Sequence, residues 1–177
     1  YQFYQFWLRT ADEDVIRMLR YFTFLPMEEI AQLEAVHRER PERREAHTRL
    51  AEEMTRLVHG GEGLLSAQRG TAVFFGGSLD GVSREELASI FADVPSYRLD
   101  PGRLSGGLSL VDLCAESGFS KSRGEARRLV ESGGLYLNQT KVADRARMVT
   151  ADDFRFGRFL VLRSGKRNYH LVVLAGE

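Results

Sequence analysis

The chain has 177 residues, of which 43% are hydrophobic, enough to bury the core of one larger domain or of two small ones. Its 25 basic and 25 acidic side chains balance, which argues against a generic polyanion binder that relies on overall charge. Cys114 is the only cysteine, which excludes a disulfide framework and a cysteine-based zinc site and predicts a reducing, cytoplasmic location. No apolar run approaches the roughly 18–20 residues that span a bilayer, so no membrane partner is expected.

The first part of the chain has helical periodicity with recognisable start and stop signals. Residues 12–14 are acidic and would stabilise the positively polarised N-terminus of a helix. Apolar residues then recur at helical spacing, which predicts a helix after them. Further helices are predicted from Pro26, from Pro41 to a stop at Gly60, and over residues 62–75 and 83–93, the last with a capping box. The sequence therefore predicts an all-α domain over residues 1–94.

The character of the sequence changes after this domain. Residues 95–107 are rich in turn formers and lack periodicity, which predicts a linker. Residues 108–177 then begin with a short helix that ends at Gly118 and a second helix that is stopped by Gly133 and Gly134. The runs LYLN, FLVLR and YHLVVL have the composition of strands. We therefore expect a small α+β domain over residues 108–177.

The basic residues are distributed unevenly between these parts. Residues 1–107 carry 13 basic and 17 acidic side chains, whereas residues 108–177 carry 12 and 8. The helix from Ser122 to Ser132 concentrates the positive charge, because its arginines 123, 127 and 128 share one side. Its N-terminus, residues 120–122, offers free N–H groups and a dipole that favour an anion such as phosphate. Taken alone, this helix fits an RNA backbone contact and a solvated, ion-paired surface equally well.

The remainder of the second domain favours the RNA interpretation. Further basic residues, Lys141, Arg145 and Arg147, follow the LYLN strand. The last hairpin adds a basic tip with an aromatic side chain that could stack on a base, formed by Lys166, Arg167, Asn168 and Tyr169.

Two stretches of the sequence resemble a known family. LVDLCAESGFSKSRGEARRLVESGGLYLNQTKV, with RSGKRNYHLVVL, resembles the S-four-type RNA-binding domain, which is named after a small-subunit ribosomal protein. YQFYQFWLRTADEDVIRMLRYFTFLPMEEI and PERREAHTRLAEEMTRLVHG resemble the segment after the signature loop of bacterial-type tyrosyl-tRNA synthetases. The resemblance covers almost the whole chain and is weakest over residues 66–107. It implies the C-terminal half of such an enzyme, with an α-helical anticodon-binding domain followed by a small α+β S-four-type RNA-binding domain.

This resemblance carries functional expectations. The helical domain would bind the anticodon stem-loop and the tail domain the long variable arm of tyrosine tRNA, beside the catalytic domain of the parent chain. The parent enzyme would be a homodimer that uses ATP and magnesium, and would attach tyrosine to tRNA. The HIGH-like motif and the nucleotide-binding fold are not found in these residues, so this stretch is expected to be inactive alone and without cofactor or metal of its own. Because the dimer contact of the family belongs to the catalytic domain, a monomer is expected.

The basic residues and the resemblance together predict site residues. RNA contacts are expected from Ser120, Lys121, Ser122, Arg123, Arg127, Arg128, Asn138, Lys141, Lys166, Arg167, Asn168 and Tyr169. For Asp12 the resemblance implies that its carboxylate accepts hydrogen bonds from the guanine edge of the first anticodon base. A simple charge at a helix N-terminus explains the same residue equally well.

Two other functions are compatible with the sequence. A stand-alone protein, for example a ribosome-associated factor, could carry an S-four-type RNA-binding domain. A helical protein-interaction module would have no RNA role.

Overall fold

The computed structural model describes residues 1–165 and 168–176. The chain divides into two compact units, residues 1–71 and residues 72–177. Among the described residues, no helix combines the length and apolar character needed to cross a membrane.

The first unit is built from helices. They are α1 (Gln2–Leu8), α2 (Val15–Phe22), α3 (Met27–Glu39), a 3-10 turn (Pro41–Arg43) and α4 (Glu45–Phe74), whose residues up to 71 belong to this unit. The predicted helix starts are confirmed for α2, which follows the acidic residues 12–14, and for α3, which begins after Pro26. Helix α1 was not predicted, because its run of aromatic residues has no clear helical signal.

One apolar stripe from each of α2, α3 and α4 forms the core of the first unit. The buried members are Val15, Leu19, Ile30, Ala46, Leu50 and Met54. Each of these side chains except Ala46 contributes about 1.5–3 kcal/mol by leaving water. Spacing of three or four residues places them on one face of each helix.

The predicted helix stop at Gly60 is a kink within α4. Gly60 has φ 72° and ψ −176°, a backbone conformation that glycine adopts without steric cost. The two arms of α4 lie against each other, since Ala51 packs with Leu64 and Ala67.

The second unit combines short helices with a sheet. Its elements are the end of α4, α5 (Arg84–Ile90), β1 (Ser96–Leu99), α6 (Gly102–Ser105), β2 (Leu108–Ser109), α7 (Leu110–Glu116), α8 (Arg123–Glu131), β3 (Leu135–Leu137), β4 (Thr140–Lys141), β5 (Met148–Val149), a 3-10 turn (Ala151–Asp153), β6 (Phe159–Ser164) and β7 (Asn168–Leu174). The capping box predicted at the start of α5 is present, with Ser83 and Glu86 bonded to each other's backbone.

A five-stranded sheet supports the second unit. Its strand order is β1-β7-β6-β3-β4, and β1 pairs with β7 in parallel while the other neighbours are antiparallel. Helices α7 and α8 pack on it through a buried core that includes Leu110, Leu113, Cys114, Ala126, Val130, Leu135, Leu160, Leu162 and Val172. The sheet and these two helices hold the basic side of α8 outward.

The predicted linker over residues 95–107 is wrong. Residues 96–99 form strand β1, and Ser96 pairs with Leu171 at the far end of the chain. Leu99 is fully buried in the core of the second unit. The glycines and prolines in this stretch mark turns between short elements, so composition alone suggested a linker. The boundary between the units lies at residues 71 and 72 instead.

The predicted fold class is confirmed, because a helical unit is followed by a small α+β unit.

Candidate nucleic-acid interface

The start of helix α8 is capped by its own side chains. Ser122 is the N-cap, and its Oγ accepts from the backbone N–H of Glu125 at 3.2 Å. The Glu125 carboxylate accepts from the backbone N–H of Lys121 at 2.7 Å, where the capping box predicted a bond to Ser122. A carboxylate therefore lies at the helix start and opposes a second anion there. Glu125 thus takes up the Lys121 backbone N–H, one of the donors predicted to face a phosphate, while the role of residues 120–122 as a phosphate site stays a prediction.

Ser120, predicted as an RNA contact, lies inside the turn before α8. Its side chain is buried, and its Oγ donates to the carbonyl of Ser122 at 3.1 Å. Its backbone N–H donates to the carbonyl of Cys114 at 2.9 Å. Ser120 therefore joins the end of α7 to the start of α8, and its hydroxyl is not presented to a ligand.

The basic side of α8 is exposed as predicted. Arg127 and Arg128 are exposed, while Ala126 and Val130 are buried on the opposite side. Within the part of the chain that the structure describes, neither arginine, nor the exposed Lys121, has an acidic partner. These three charges are consequently free to meet an external anion.

Arg123 is partly neutralised. Its Nε lies 2.5 Å from Oδ1 of Asp112, although its side chain remains 64% exposed. Asp112 also accepts a hydrogen bond from Ser109 at 2.7 Å. An exposed ion pair of this kind contributes little, about 0–1 kcal/mol, so a phosphate can compete for the guanidinium.

Lys141 extends the basic surface to the other end of α8. A Cβ placed on Gly133, which ends the helix with φ 67°, would collide with the Lys141 Nζ. The ammonium group therefore lies at the negative end of the helix dipole, which it stabilises. The nine residues of α8 span about 13 Å, so Lys121 and Lys141 mark the ends of a basic strip of about that length.

Asn138, predicted as an RNA contact, is a structural residue in the turn between β3 and β4. Asn138 and Gln139 both have positive φ, 47° and 69°, which is the conformation of a type I′ hairpin turn. The Asn138 Oδ1 accepts from the backbone N–H of Val161 at 2.9 Å, and its Nδ2 donates to the carbonyl of Asp153 at 2.6 Å. Its amide is thus used to join three segments of the second unit.

Replacing Asn138 should therefore act on stability. We expect Asn138→Ala to lower the free energy of unfolding by about 1–3 kcal/mol, because the Val161 N–H is left without an acceptor and alanine is strained at positive φ. Asn138→Gly keeps the turn conformation and removes only the hydrogen bonds, so it separates the two causes. Urea unfolding of the three chains measures the effect, and an unchanged midpoint in Asn138→Ala would contradict this role.

The aromatic residue of the last hairpin, Tyr169, is buried, whereas the sequence analysis predicted an exposed ring. Tyr169 is only 2% exposed, and its ring lies 4.9 Å from that of Phe74 and 5.4 Å from that of Phe91. A ring packed in this way cannot stack on a base, so the stacking role predicted for Tyr169 is corrected. Asn168 is exposed and donates from Nδ2 to Ser164 Oγ at 2.7 Å.

The basic tip of this hairpin was also predicted to contact RNA. Lys166 and Arg167 lie outside the described residues, so their contribution stays a prediction.

Arg163, in strand β6, was not singled out from the sequence, although it adds positive charge to the last hairpin. Its guanidinium lies 3.7 Å from the centre of the Tyr136 ring and donates to Gln139 Oε1 at 2.7 Å and to the carbonyl of Gly165 at 2.6 Å. Within the described residues none of its partners is a carboxylate. The basic run RSGKR that contains it was a signal, but its burial could not be foreseen.

A cleft of 580 Å³ adjoins the β3–β4 hairpin. Its charged lining residues are Lys141, Asp144, Arg147, Asp152, Asp153 and Arg155. Two of these cations are paired, since Arg147 contacts Asp153 and Arg155 lies 3.1 Å from Asp80. Lys141 is therefore the cation of this cleft that connects to the basic side of α8.

Asp12 lies in the turn before α2, with its side chain 62% exposed. Its Oδ1 lies 3.1 Å from His47 Nε2 and 3.4 Å from Arg44 Nη1. Its backbone carbonyl lies 2.9 Å from His37 Nε2, and Arg44 also donates to the carbonyl of Leu8 at 2.8 Å. The Asp12 Oδ2 has no contact among the described residues. His47 and Arg44 thus contact one oxygen of the Asp12 carboxylate, and the other oxygen is available to accept a hydrogen bond.

His47 is fully buried beside this carboxylate. Burial is the largest cause of a lowered His47 pKa, and Arg44 and His37 lower the pKa further. Asp12 and the backbone of Thr10 raise it in part. The imidazole is therefore neutral at pH 7 and carries one N–H. Although Nε2 is close to Oδ1, neither ring nitrogen makes a well-aligned hydrogen bond. Among the described residues, no group of three or more His, Cys, Asp or Glu side chains is arranged to hold a metal ion.

Two family profiles match consecutive parts of the chain. "tRNA synthetases class I (W and Y)" matches residues 1–76, and "Tyrosine–tRNA ligase SYY-like C-terminal domain" matches residues 86–172. The tyrosine–tRNA ligase of Roseiflexus castenholzii is 46% identical over 175 residues, which is 98% of this chain. The chain belongs to the tyrosine–tRNA ligase family.

Other tyrosine–tRNA ligases are similar to the chain over nearly its whole length. The tyrosine–tRNA ligases of Geobacillus kaustophilus and Opitutus terrae are 44% and 39% identical, each over 97% of this chain. The alignments cover 41%, 40% and 41% of the three relatives, so the chain spans about two fifths of the length of these tyrosine–tRNA ligases. The resemblance stated from the sequence is confirmed.

The two profiles meet near the boundary between the units of this chain. The first profile ends at residue 76 and the second begins at residue 86, while the units meet at residues 71 and 72. A crystal structure of a C-terminally truncated mitochondrial tyrosyl-tRNA synthetase from Aspergillus nidulans is 37% identical over 41% of this chain and 22% of that chain, with a TM-score of 0.38, too low to bear on the fold.

Proposed function

We propose that this chain is the tRNA-recognition portion of a tyrosyl-tRNA synthetase. The helical unit binds the anticodon stem-loop of tyrosine tRNA, and the second unit binds the variable arm. The parent enzyme can then attach tyrosine to that tRNA with ATP and magnesium, which belong to its catalytic domain. We propose that this chain works in the cytoplasm.

One observation carries this proposal. In a family that acts on tRNA, the second unit presents Lys121, Arg127 and Arg128 on one exposed strip without acidic partners among the described residues. Arginine forks bind phosphate oxygens bidentately, and such contacts set the register of a protein on RNA. Lys141 at the end of α8 and Arg123 extend the same strip, and Lys166, Arg167 and Asn168 would add contacts from the last hairpin.

The first unit supplies a different kind of contact. The Asp12 carboxylate is exposed, and one of its oxygens is not engaged by the described residues, so it can accept from base N–H groups. Phosphate contacts cannot distinguish one tRNA from another, so we assign base discrimination to this unit.

Exposed apolar side chains on the first unit support a second partner. Phe6, Tyr21, Phe24 and Met27 are 69%, 73%, 90% and 60% exposed. A contiguous exposed apolar patch marks an interaction surface, and we propose that these side chains form one. We assign it to the catalytic domain of the parent chain; the parent is a homodimer through that domain, and this stretch alone is a monomer.

Binding to purified tRNA tests the proposal. The 177-residue chain should bind tyrosine tRNA with an affinity that falls steeply with salt, because phosphate contacts release counterions. An unrelated tRNA with a short variable arm should bind at least tenfold more weakly at the same salt. Equal affinity for both RNAs would refute the proposal.

A further inference from the structure

The carboxylate of Asp12 is held from one side by a buried histidine. His47 is fully buried on α4, whereas the Asp12 side chain that it contacts is 62% exposed. A buried imidazole without aligned hydrogen bonds is unfavourable for folding. An apolar residue at this position would avoid that cost, so a role in the folded core alone does not explain the histidine.

We propose that His47 is a positioning residue for the recognition of a base by Asp12. The close approach of its Nε2 to Oδ1, at 3.1 Å, and that of Arg44 Nη1, at 3.4 Å, restrict the rotation of the carboxylate, so that Oδ2 and the second lone pair of Oδ1 face a base together. A base edge with two adjacent N–H donors fits a carboxylate fixed in this way, and the Watson–Crick edge of guanine has such a pair. This inference rests on the proposed function, in which the first unit binds the anticodon stem-loop.

The surrounding groups support positioning over a general electrostatic effect. The ring of His37 lies 5.4 Å from that of His47 and contacts the backbone carbonyl of Asp12, so both histidines act on one residue. Arg44 binds the Asp12 carboxylate and the carbonyl of Leu8 together. Because His47 is neutral at pH 7, it directs the carboxylate without neutralising its charge. His47 therefore adds no positive charge to that of Arg44, and the carboxylate stays an anionic acceptor.

The test compares two RNA hairpins with four variants of the 177-residue chain. The hairpins are the anticodon stem-loop of tyrosine tRNA with guanine or with inosine at the first anticodon position; inosine lacks the 2-amino donor. The wild-type chain should prefer guanine by about tenfold, as expected for one hydrogen bond to a charged group. Asp12→Asn and His47→Leu should each reduce the preference to about twofold or less.

A rescue variant separates positioning from structure. His47→Gln keeps an N–H donor near the position of Nε2, so it should retain most of the guanine preference. His59→Leu, which changes an exposed histidine of the same helix, should leave the preference unchanged. If His47→Leu does not fold, Arg44→Ala takes its place and should also reduce the preference.

The outcomes distinguish the inference from the proposed function. Loss of preference in Asp12→Asn with full preference in His47→Leu, or in Arg44→Ala if that variant is needed, overturns the positioning role. A wild-type chain without preference, or full preference in Asp12→Asn, overturns base recognition by Asp12. A wild-type chain that binds the stem-loop no better than an unrelated hairpin of equal length refutes the proposed function itself.

Discussion

Replacing Arg127 and Arg128 together with alanine is expected to weaken binding of tyrosine tRNA by about 10- to 100-fold at low salt. Both guanidinium groups are exposed, and neither has an acidic partner among the described residues, so each is free to contact a phosphate. The plot of log affinity against log salt concentration should also become shallower, by about one unit for each phosphate that is no longer bound. Filter binding at four salt concentrations measures both quantities.

A matched arginine of the same unit provides the control. Arg103 is exposed, but its guanidinium lies 2.5 Å from the Glu116 carboxylate. Arg103→Ala should therefore change the affinity by less than about twofold. If the double variant binds with the wild-type affinity and salt slope, the basic side of α8 is only a solvated surface.

The second large effect is expected on stability, from Tyr169→Ala. The ring packs between Phe74 and Phe91 in the core of the second unit, so its removal leaves a cavity and should lower the free energy of unfolding by about 3–5 kcal/mol. Tyr169→Phe should cost about 1 kcal/mol or less, because it removes only the hydroxyl, which lies 3.3 Å from Gln139 Nε2 and 3.4 Å from the Val73 carbonyl.

Urea unfolding combined with RNA binding checks this assignment. At a temperature where Tyr169→Ala remains folded, its RNA affinity should stay close to that of the wild type. A chain of wild-type stability with reduced RNA affinity would restore the stacking role that the sequence suggested.

Local signals made much of the fold predictable. Pro26 directly precedes α3, Ser83 and Glu86 form a capping box, and Ser122 caps α8. Each signal acts through hydrogen bonds or fixed dihedral angles within one turn. The basic side of α8 was predictable for the same reason, since helical spacing alone decides which side chains share a face.

Long-range pairing was not predictable from the sequence. Strand β1 is four residues long and pairs with β7, more than seventy residues further along the chain, so no local pattern distinguishes it from a linker. Strand β7 is buried at four consecutive positions from Tyr169 to Val172. Without alternation between buried and exposed residues, the direction of the Tyr169 side chain could not be inferred.

The sequence predicted which charged residues lie at the candidate site, but it did not predict the hydrogen bonds among its polar side chains. Glu125 and Ser120 use polar atoms within the turn before α8, where the exact partner depends on the turn geometry. The partners of Asn138 lie in separate segments and depend on how these segments meet. The contact between His47 and Asp12 has the same origin, because it joins residues 35 positions apart. Sequence patterns identify polar side chains but do not say which of them are satisfied internally.

Hydroxyl-radical footprinting of tyrosine tRNA bound to the 177-residue chain tests the central claim most directly. We expect protected nucleotides in both the anticodon stem-loop and the variable arm, with the variable-arm protection abolished when Arg127 and Arg128 are replaced by alanine. Protection confined to the acceptor stem, or a variable arm that remains fully cleaved in the wild-type complex, would contradict the account.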